Sequence, residues 1–385
     1  MSQPLRIGVE ATPAARQRAG IGRYARGLLG ALATLDSEDH YTLVAAARGA
    51  DVGALRALPF RHRRILPLPV SDRLATIAWH RLRLPLPITA LTGRLDVFLA
   101  LDFALPPLGR DVPGVVTVYD LAFLTEPECA DPGLRAYLTK VVPRDVARAA
   151  HVLTISHSAR ADLIRLLDVP PERVTVAYPG LQPIFSQTAP PDTSAVRARL
   201  GLPQRFVLAV STIEPRKNFV RLIEAVHALR GQAGTGDVEL VIAGGKGWLY
   251  QPVFDRVAAL GLTQQVHFVD RFDDETVRAL YHLAAVVAHP ALYEGFGMPP
   301  LEAMACGAPV VCSDTSSLPE VVGDAALTVD PLDTEALTEA LGRVLQDDAL
   351  AADLRARGPR QAAQFTWEGT ARAARAALHQ AAGQP

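Results

Sequence analysis

The chain of 385 residues has three cysteines, three lysines and three tryptophans, and carries no surplus of either charge. Each shortage excludes something. Cys129, Cys306 and Cys312 are odd in number and form no C-x-x-C or Cys/His cluster, which argues against a disulfide framework and a structural zinc and for a reducing cytoplasm. Thirty-nine basic residues against 40 acidic ones leave a formal charge of −1, so no global field draws nucleic acid. No apolar run approaches the roughly 20 residues of a membrane span. The opening LRIGVE is short and charged, unlike a signal peptide. Aromatics are few at 6%, while 49% of residues are hydrophobic, the balance of an α/β protein.

Such a length calls for two domains. Short apolar runs at 5–10, 41–47, 96–100, 114–120 and 151–156 read as buried strands, with helical patterns between them. Residues 182–192 hold three prolines and read as a linker. The pattern then restarts at 205–210, 238–244, 266–270, 284–290 and 308–313. Two consecutive doubly wound α/β halves with parallel sheets are expected, 1–182 and 193–364, followed by a helix over 365–385 that packs back on the first half. Open sheets of this kind bind ligands beyond the carboxyl ends of their strands, so two such mouths facing across a cleft are the expected active site.

The most informative stretch is HPALYEGFGMPPLEAMACGAPVV, 289–311. A strand ends near Pro290; Glu294, Gly295, Phe296 and Gly297 form a loop; a short helix ends at Gly307; a new strand begins. Glycines let backbone N–H groups approach a ligand, and a helix start favours an anion, so a diphosphate fits. Glu294 and Glu302 bracket the loop and suit sugar hydroxyls, Glu302 the ribose diol and Glu294 the reacting sugar. Arg216 and Lys217 follow the first strand of the second half, where two cations neutralise a leaving diphosphate as a metal does elsewhere. No D-x-D motif stands in the chain, and Asp273–Asp274 reads as a helix cap, so no metal is expected.

The E-x7-E phrase within EGFGMPPLEAMACGAPVV resembles the signature of family-4 retaining glycosyltransferases of the GT-B fold. The likeness continues through SDTSSLPEVVGDAALTVDP (313–331), STIEPRKNFVRLIEA (211–225), TISHSARADLIRLLDVPPERVTVAYPG (154–180) and GIGRYARGLL (20–29). The EPRKN variant most resembles bacterial mannosyltransferase-like members. The resemblance implies a retaining, metal-independent hexosyltransferase with a nucleotide-diphosphate sugar donor, GDP-mannose favoured, and a glycan or lipid-linked acceptor; the donor is a substrate and no cofactor is implied. It further implies a donor diphosphate on Lys217, the family's lysine, with Arg216 taking over from the family arginine that is here Thr212. Gly20 and Gly22 would lie in a loop near the donor phosphates, and Asp120 would position or deprotonate the acceptor hydroxyl, although Tyr119 stands where many relatives have histidine. Lys246 in GGKGW is a further donor candidate, Asp270 lies near the base, and His157 and His289 read as structural. An epimerase or inverting transferase on the same fold, and a non-catalytic homologue, are the alternative readings.

The most basic stretch, 56–83, holds seven arginines and one acid, Asp72, interleaved with Leu, Pro, Phe60 and Trp79. Contact with anionic membrane is the corresponding expectation.

Overall fold

The computed structural model describes residues 3–16, 20–35, 38–48, 51–82, 84, 86–190, 192–270 and 272–383, with only the backbone of His80. They divide into two compact units. One comprises Met1–Leu121, Ala136–Gly180 and Thr366–Pro385, the other Ala122–Arg135 and Leu181–Phe365. Residues 122–135 thus leave the first half for the second unit, and the C-terminal segment belongs to the first.

The first unit is built on seven strands: β1 (Arg6–Glu10), β2 (His40–Ala46), β3 (Arg63–Leu68), β4 (Val97–Ala100), β5 (Gly114–Thr117), β6 (His151–Thr154) and β7 (Val174–Val176). They pair in parallel in the order β3-β2-β1-β4-β5-β6-β7. The second unit has β8 (Phe206–Val210), β9 (Glu239–Ala243), β10 (Val266–Val269), β11 (Val286–His289), β12 (Val310–Ser313) and β13 (Leu327–Val329), parallel in the order β10-β9-β8-β11-β12-β13. Every residue of β4, β5, β8, β11 and β12 is buried, as strands covered by helices on both faces require. Both units are therefore the Rossmann-like doubly wound sheets expected. Strands β3, β7 and β13 are additions at sheet edges: RRILPL reads as too charged for a strand, and VTV and LTV are only three residues long. In each sheet the strand order reverses once, between β1 and β4 and between β8 and β11, and ligand sites in such sheets sit at these reversals.

The helix Trp367–Ala381 packs on the helix Gly20–Thr34 and on β4 to β7. Trp367 comes so near Gly27 and Gly180 that a β-carbon on either would lie 2.3 or 2.2 Å from it. Asp39, 2% exposed, secures the far end: its carboxylate accepts from the Leu5 N–H at 2.9 Å and from Arg375 Nε at 2.7 Å, with His379 Nε2 at 3.4 Å. Asp39→Ala is expected to cost on the order of 2–3 kcal/mol, because it strands a buried N–H and an ion-pair partner together. Denaturant unfolding measures the loss, and limited proteolysis should cut after residue 365 faster in the variant.

Among the described residues, no helix is long and apolar enough to cross a membrane.

Candidate active site

In the second unit β8 and β11 are neighbours, so the segments leaving their carboxyl ends meet although they lie far apart in sequence. After β8 the chain runs to a single 3-10 turn, Pro215–Lys217. Asn218 closes it in the left-handed region at φ 60°, a conformation asparagine tolerates, and its Nδ2 donates to the carbonyls of Pro290 and Pro331 at 3.0 and 2.7 Å. That lock ties the turn to the end of β11 before the helix Phe219–Arg230 begins.

After β11 comes the loop carrying Glu294, Gly295, Phe296 and Gly297, all buried. Gly297 has φ 110° and precedes the helix Met298–Ala305; a β-carbon there would lie 2.7 Å from Leu318, so both conformation and space demand glycine. Two serines hold the loop backbone. Ser316 Oγ accepts from the Glu294 N–H at 2.8 Å, and Ser317 Oγ donates to the carbonyls of Glu294 and Phe296 at 2.8 Å each. The Phe296 ring meets Phe365 edge-on at 5.4 Å.

Four charges converge here. Lys217 Nζ donates to Glu294 Oε1 at 2.6 Å. Arg216 donates through one terminal nitrogen to Glu294 Oε2 at 3.1 Å and the Tyr293 carbonyl at 2.7 Å, and through the other to Glu214 Oε1 at 2.9 Å. His289 Nε2 lies 2.7 Å from Glu294 Oε1; facing a carboxylate, it must carry the proton. Glu214, Lys217, His289 and Glu294 are all at most 8% exposed.

Burial pushes the Glu294 carboxyl up, but Lys217 and Arg216, with the His289 hydrogen bond, outweigh it and hold the group well below the usual carboxylate range. Burial, reinforced by Arg216, pulls Lys217 down against Glu294 and Glu214. Burial also pulls His289 down, against its bond to Glu294, which keeps the imidazole neutral near pH 7. Two cations and two carboxylates balance within the cluster.

Glu302, 2% exposed, is held one turn into the following helix, where the buried Tyr281 hydroxyl donates to its Oε2 at 3.2 Å. Lys246 does not join the cluster. Its ammonium sits over the rings of Tyr250 and Phe254, 5.1 and 4.7 Å from their centroids, a cation–π contact. Thr212 and Asp270 are exposed. Asp273 caps the helix Asp274–Leu283, accepting from the Thr276 N–H at 2.8 Å, as its position in the sequence suggests. Among the described residues no group of three His, Cys, Asp or Glu side chains is arranged to hold a metal ion.

In the first unit Gly20 and Gly22 are not in a loop: both lie in the first turn of the helix Gly20–Thr34, Gly20 exposed at φ 36° and Gly22 buried. Helical hydrogen bonding extends the helix upstream of where its apolar periodicity begins. Asp120 follows β5 on an irregular stretch, partly buried. Tyr119 is buried; its hydroxyl donates to the Leu101 carbonyl at 2.7 Å, its ring meets Tyr24 and Phe103, and burial holds its pKa well above the usual tyrosine value. It braces the neighbouring strand end.

Glu10, at the end of β1, accepts from the Thr12 N–H at 2.9 Å. Burial pushes it up to about 8, aided by Asp102 against the Thr12 bonds. A carboxyl raised in the folded state contributes stability that is complete below its unfolded value and lost as pH rises through the folded one. From pH 5 to pH 9, Glu10→Gln should therefore gain on the order of 3 kcal/mol relative to the parent, read by denaturant unfolding at both pH values.

The site reached from β8 and β11 coincides with the likeness to known proteins. Residues 18–183 match the model described as Glycosyltransferase Family 4, and residues 193–361 that of Glycosyl transferases group 1. The O-antigen chain mannosyltransferase B of Escherichia coli is 34% identical over 255 residues, covering 66% of this chain and 67% of that protein. The chain belongs to glycosyltransferase family 4. A second relative of this glycosyltransferase, the serotype-specific mannosyltransferase WbdA of Escherichia coli, is 33% identical over 271 residues, and the match covers only 32% of that longer protein. Anabaena HepE, solved with UDP and glucose, superposes over 98% of this chain and 100% of its own with a TM-score of 0.74 at 19% identity, a likeness of GT-B fold.

Of the residues singled out in the sequence, the glycosyltransferase brings Arg216, Lys217 and Glu294 into contact and sets Gly295, Phe296 and Gly297 beside them. Glu214, His289, Tyr281 and the serine pair were not anticipated. The acid within EPRKN, three residues before Lys217, was the one available signal.

Proposed function

We propose that this glycosyltransferase is a retaining, metal-independent hexosyltransferase of the cytoplasm. It takes mannose from a nucleotide-diphosphate sugar, GDP-mannose first among candidates, and passes it to a glycan or lipid-linked acceptor. The observation that carries the reading is the set of buried Glu214, Lys217 and Glu294 with the partly buried Arg216, beside the glycine loop.

A cluster whose charges balance is stable without ligand, yet offers two cations to a diphosphate that draws them from their carboxylates. As the bond from sugar to phosphate breaks, negative charge grows on the departing oxygen. Arg216, Lys217 and the N–H groups of the glycine loop stabilise it in a site that excludes water. Glu294 is assigned to the reacting sugar and Glu302, steered by Tyr281, to the ribose diol. Retention follows if the acceptor attacks from the face that the phosphate leaves, with the departing phosphate oxygen taking the acceptor's proton. Asp120, Gly20 and Gly22 are the acceptor-side candidates of the first unit. Mannose is favoured because both Escherichia coli relatives are named mannosyltransferases.

A thermal-shift panel of nucleoside diphosphates and nucleotide sugars tests the donor: a ligand at a hundred times its Kd adds about 2.7 kcal/mol, so one base should stand out. NMR of the product should show the donor's anomeric configuration, and EDTA should leave the rate unchanged. An inverted anomer would overturn retention, and loss of rate in EDTA would overturn metal independence.

A further inference from the structure

The donors that hold Glu294 differ in kind. Lys217 Nζ and His289 Nε2 share its Oε1 at 2.6 and 2.7 Å, while an Arg216 nitrogen takes Oε2 at 3.1 Å. The two cations already balance Glu294 and Glu214, so the imidazole adds nothing to the charge of the cluster. Burial pulls its pKa down against the bond to Glu294, with Lys217 and Arg216 adding to burial, and it stays neutral near pH 7.

Their mountings differ as well. His289 is the last residue of β11, pairs with Cys312 of β12 and is 4% exposed. β11 lies inside the sheet, between β8 and β12. The imidazole therefore hangs on a short side chain from a fixed backbone. The lysine and arginine reach the same carboxylate on long, flexible stems from the 3-10 turn Pro215–Lys217.

In the proposed reaction the donor diphosphate draws Lys217 and Arg216 away from Glu294. A carboxylate only 8% exposed then loses both cations just as it must meet the sugar. A buried carboxylate stripped of its partners turns away or takes up a proton. An uncharged ring held by the sheet is not drawn to the diphosphate.

We propose that His289 is a positioning residue for transfer: it keeps Glu294 Oε1 in place once the donor has taken the two cations, so that Oε2, released by Arg216, faces the reacting sugar. The duty rests on the donor site proposed above and begins only when that site fills. A histidine serving the fold alone would matter equally with and without donor.

Imidazole nitrogen NMR of the full chain tests the contact without turnover. GDP and UDP are titrated into separate samples, and the His289 signal is identified by its loss in His289→Gln. The Nε2–H should persist, still bonded to the carboxylate, at saturation with nucleoside diphosphate. Kinetics tests the duty. His289→Leu, apolar and of similar size, should lower kcat by about thirtyfold, the worth of one hydrogen bond to a charged group. Its affinity for the nucleoside diphosphate should stay within about threefold of the parent's, because Lys217 and Arg216 remain. His289→Gln carries an amide N–H to nearly the same point and should restore kcat to within about threefold of the parent. The titration decides even where the leucine variant fails to fold. The proposal is overturned if the Nε2–H bond is lost as the diphosphate binds, if His289→Leu turns over like the parent, or if the glutamine variant is as slow as the leucine one. A nucleoside diphosphate that binds equally well to Lys217→Met would instead overturn the donor site itself, and the duty of His289 with it.

Discussion

Lys217→Met should lower kcat/KM for the donor by about a thousandfold, at the upper end of what one charged donor to a developing oxyanion supplies. The methionine keeps most of the aliphatic stem, so the packing loss is small, but the ammonium goes from a nearly buried site where it holds Glu294 at 2.6 Å. Breaking a buried pair from one side costs about 3–5 kcal/mol. Here Arg216 and His289 remain on the stranded carboxylate, which favours the lower figure. The melting temperature of the second unit should fall by several degrees while the protein stays folded at 25 °C. Calorimetric titration separates a damaged fold from a lost contact. Affinity for the nucleoside diphosphate should drop by one to two orders of magnitude, and affinity for the bare nucleoside should barely change. Equal losses for both ligands would take Lys217 off the diphosphate.

Why that lysine meets Glu294 could not be read along the chain. The glycine loop and the EPRKN turn each announce themselves locally, through residues that suit backbone approach, helix starts and anion binding. Their meeting depends on strand order: two further strands, β9 and β10, intervene in sequence, and only the reversal of the winding puts β11 against β8. Strand order is a property of the whole sheet, and no single segment encodes it.

The readings that moved did so for local reasons. Gly20 and Gly22 suggest a loop by composition, yet a helix accepts glycine in its first turn, where backbone groups lack partners in any case. His289 at the end of a buried strand looks like any core histidine; what distinguishes it is a ring nitrogen on Glu294, which is geometry. The arginines of 56–83 looked like one patch because β3 was not recognised among them. The doubly wound architecture itself was legible, since buried parallel strands are written as short apolar runs whose spacing leaves room for crossover helices.

Glu294→Gln separates catalysis from donor affinity, because the two should move in opposite directions. The carboxylate engages the same ammonium and guanidinium that the diphosphate is proposed to use, so it competes with the donor's leaving group for them. A glutamine of the same shape withdraws that competition and leaves the cluster with a net positive charge. Nucleoside diphosphate should then bind several-fold tighter, while kcat falls by about two orders of magnitude as the sugar loses its charged partner. A merely structural acid would weaken both. Stability supplies an independent check with a fixed sign. The folded pKa of Glu294 lies below its unfolded value, so the stability it contributes is complete above about pH 4.5 and is lost as pH falls through the folded value. The parent should therefore exceed Glu294→Gln in unfolding free energy at pH 7 and lose that advantage in acid. A gap that stays constant down to pH 3 would mean that the carboxylate is not held by these cations in solution.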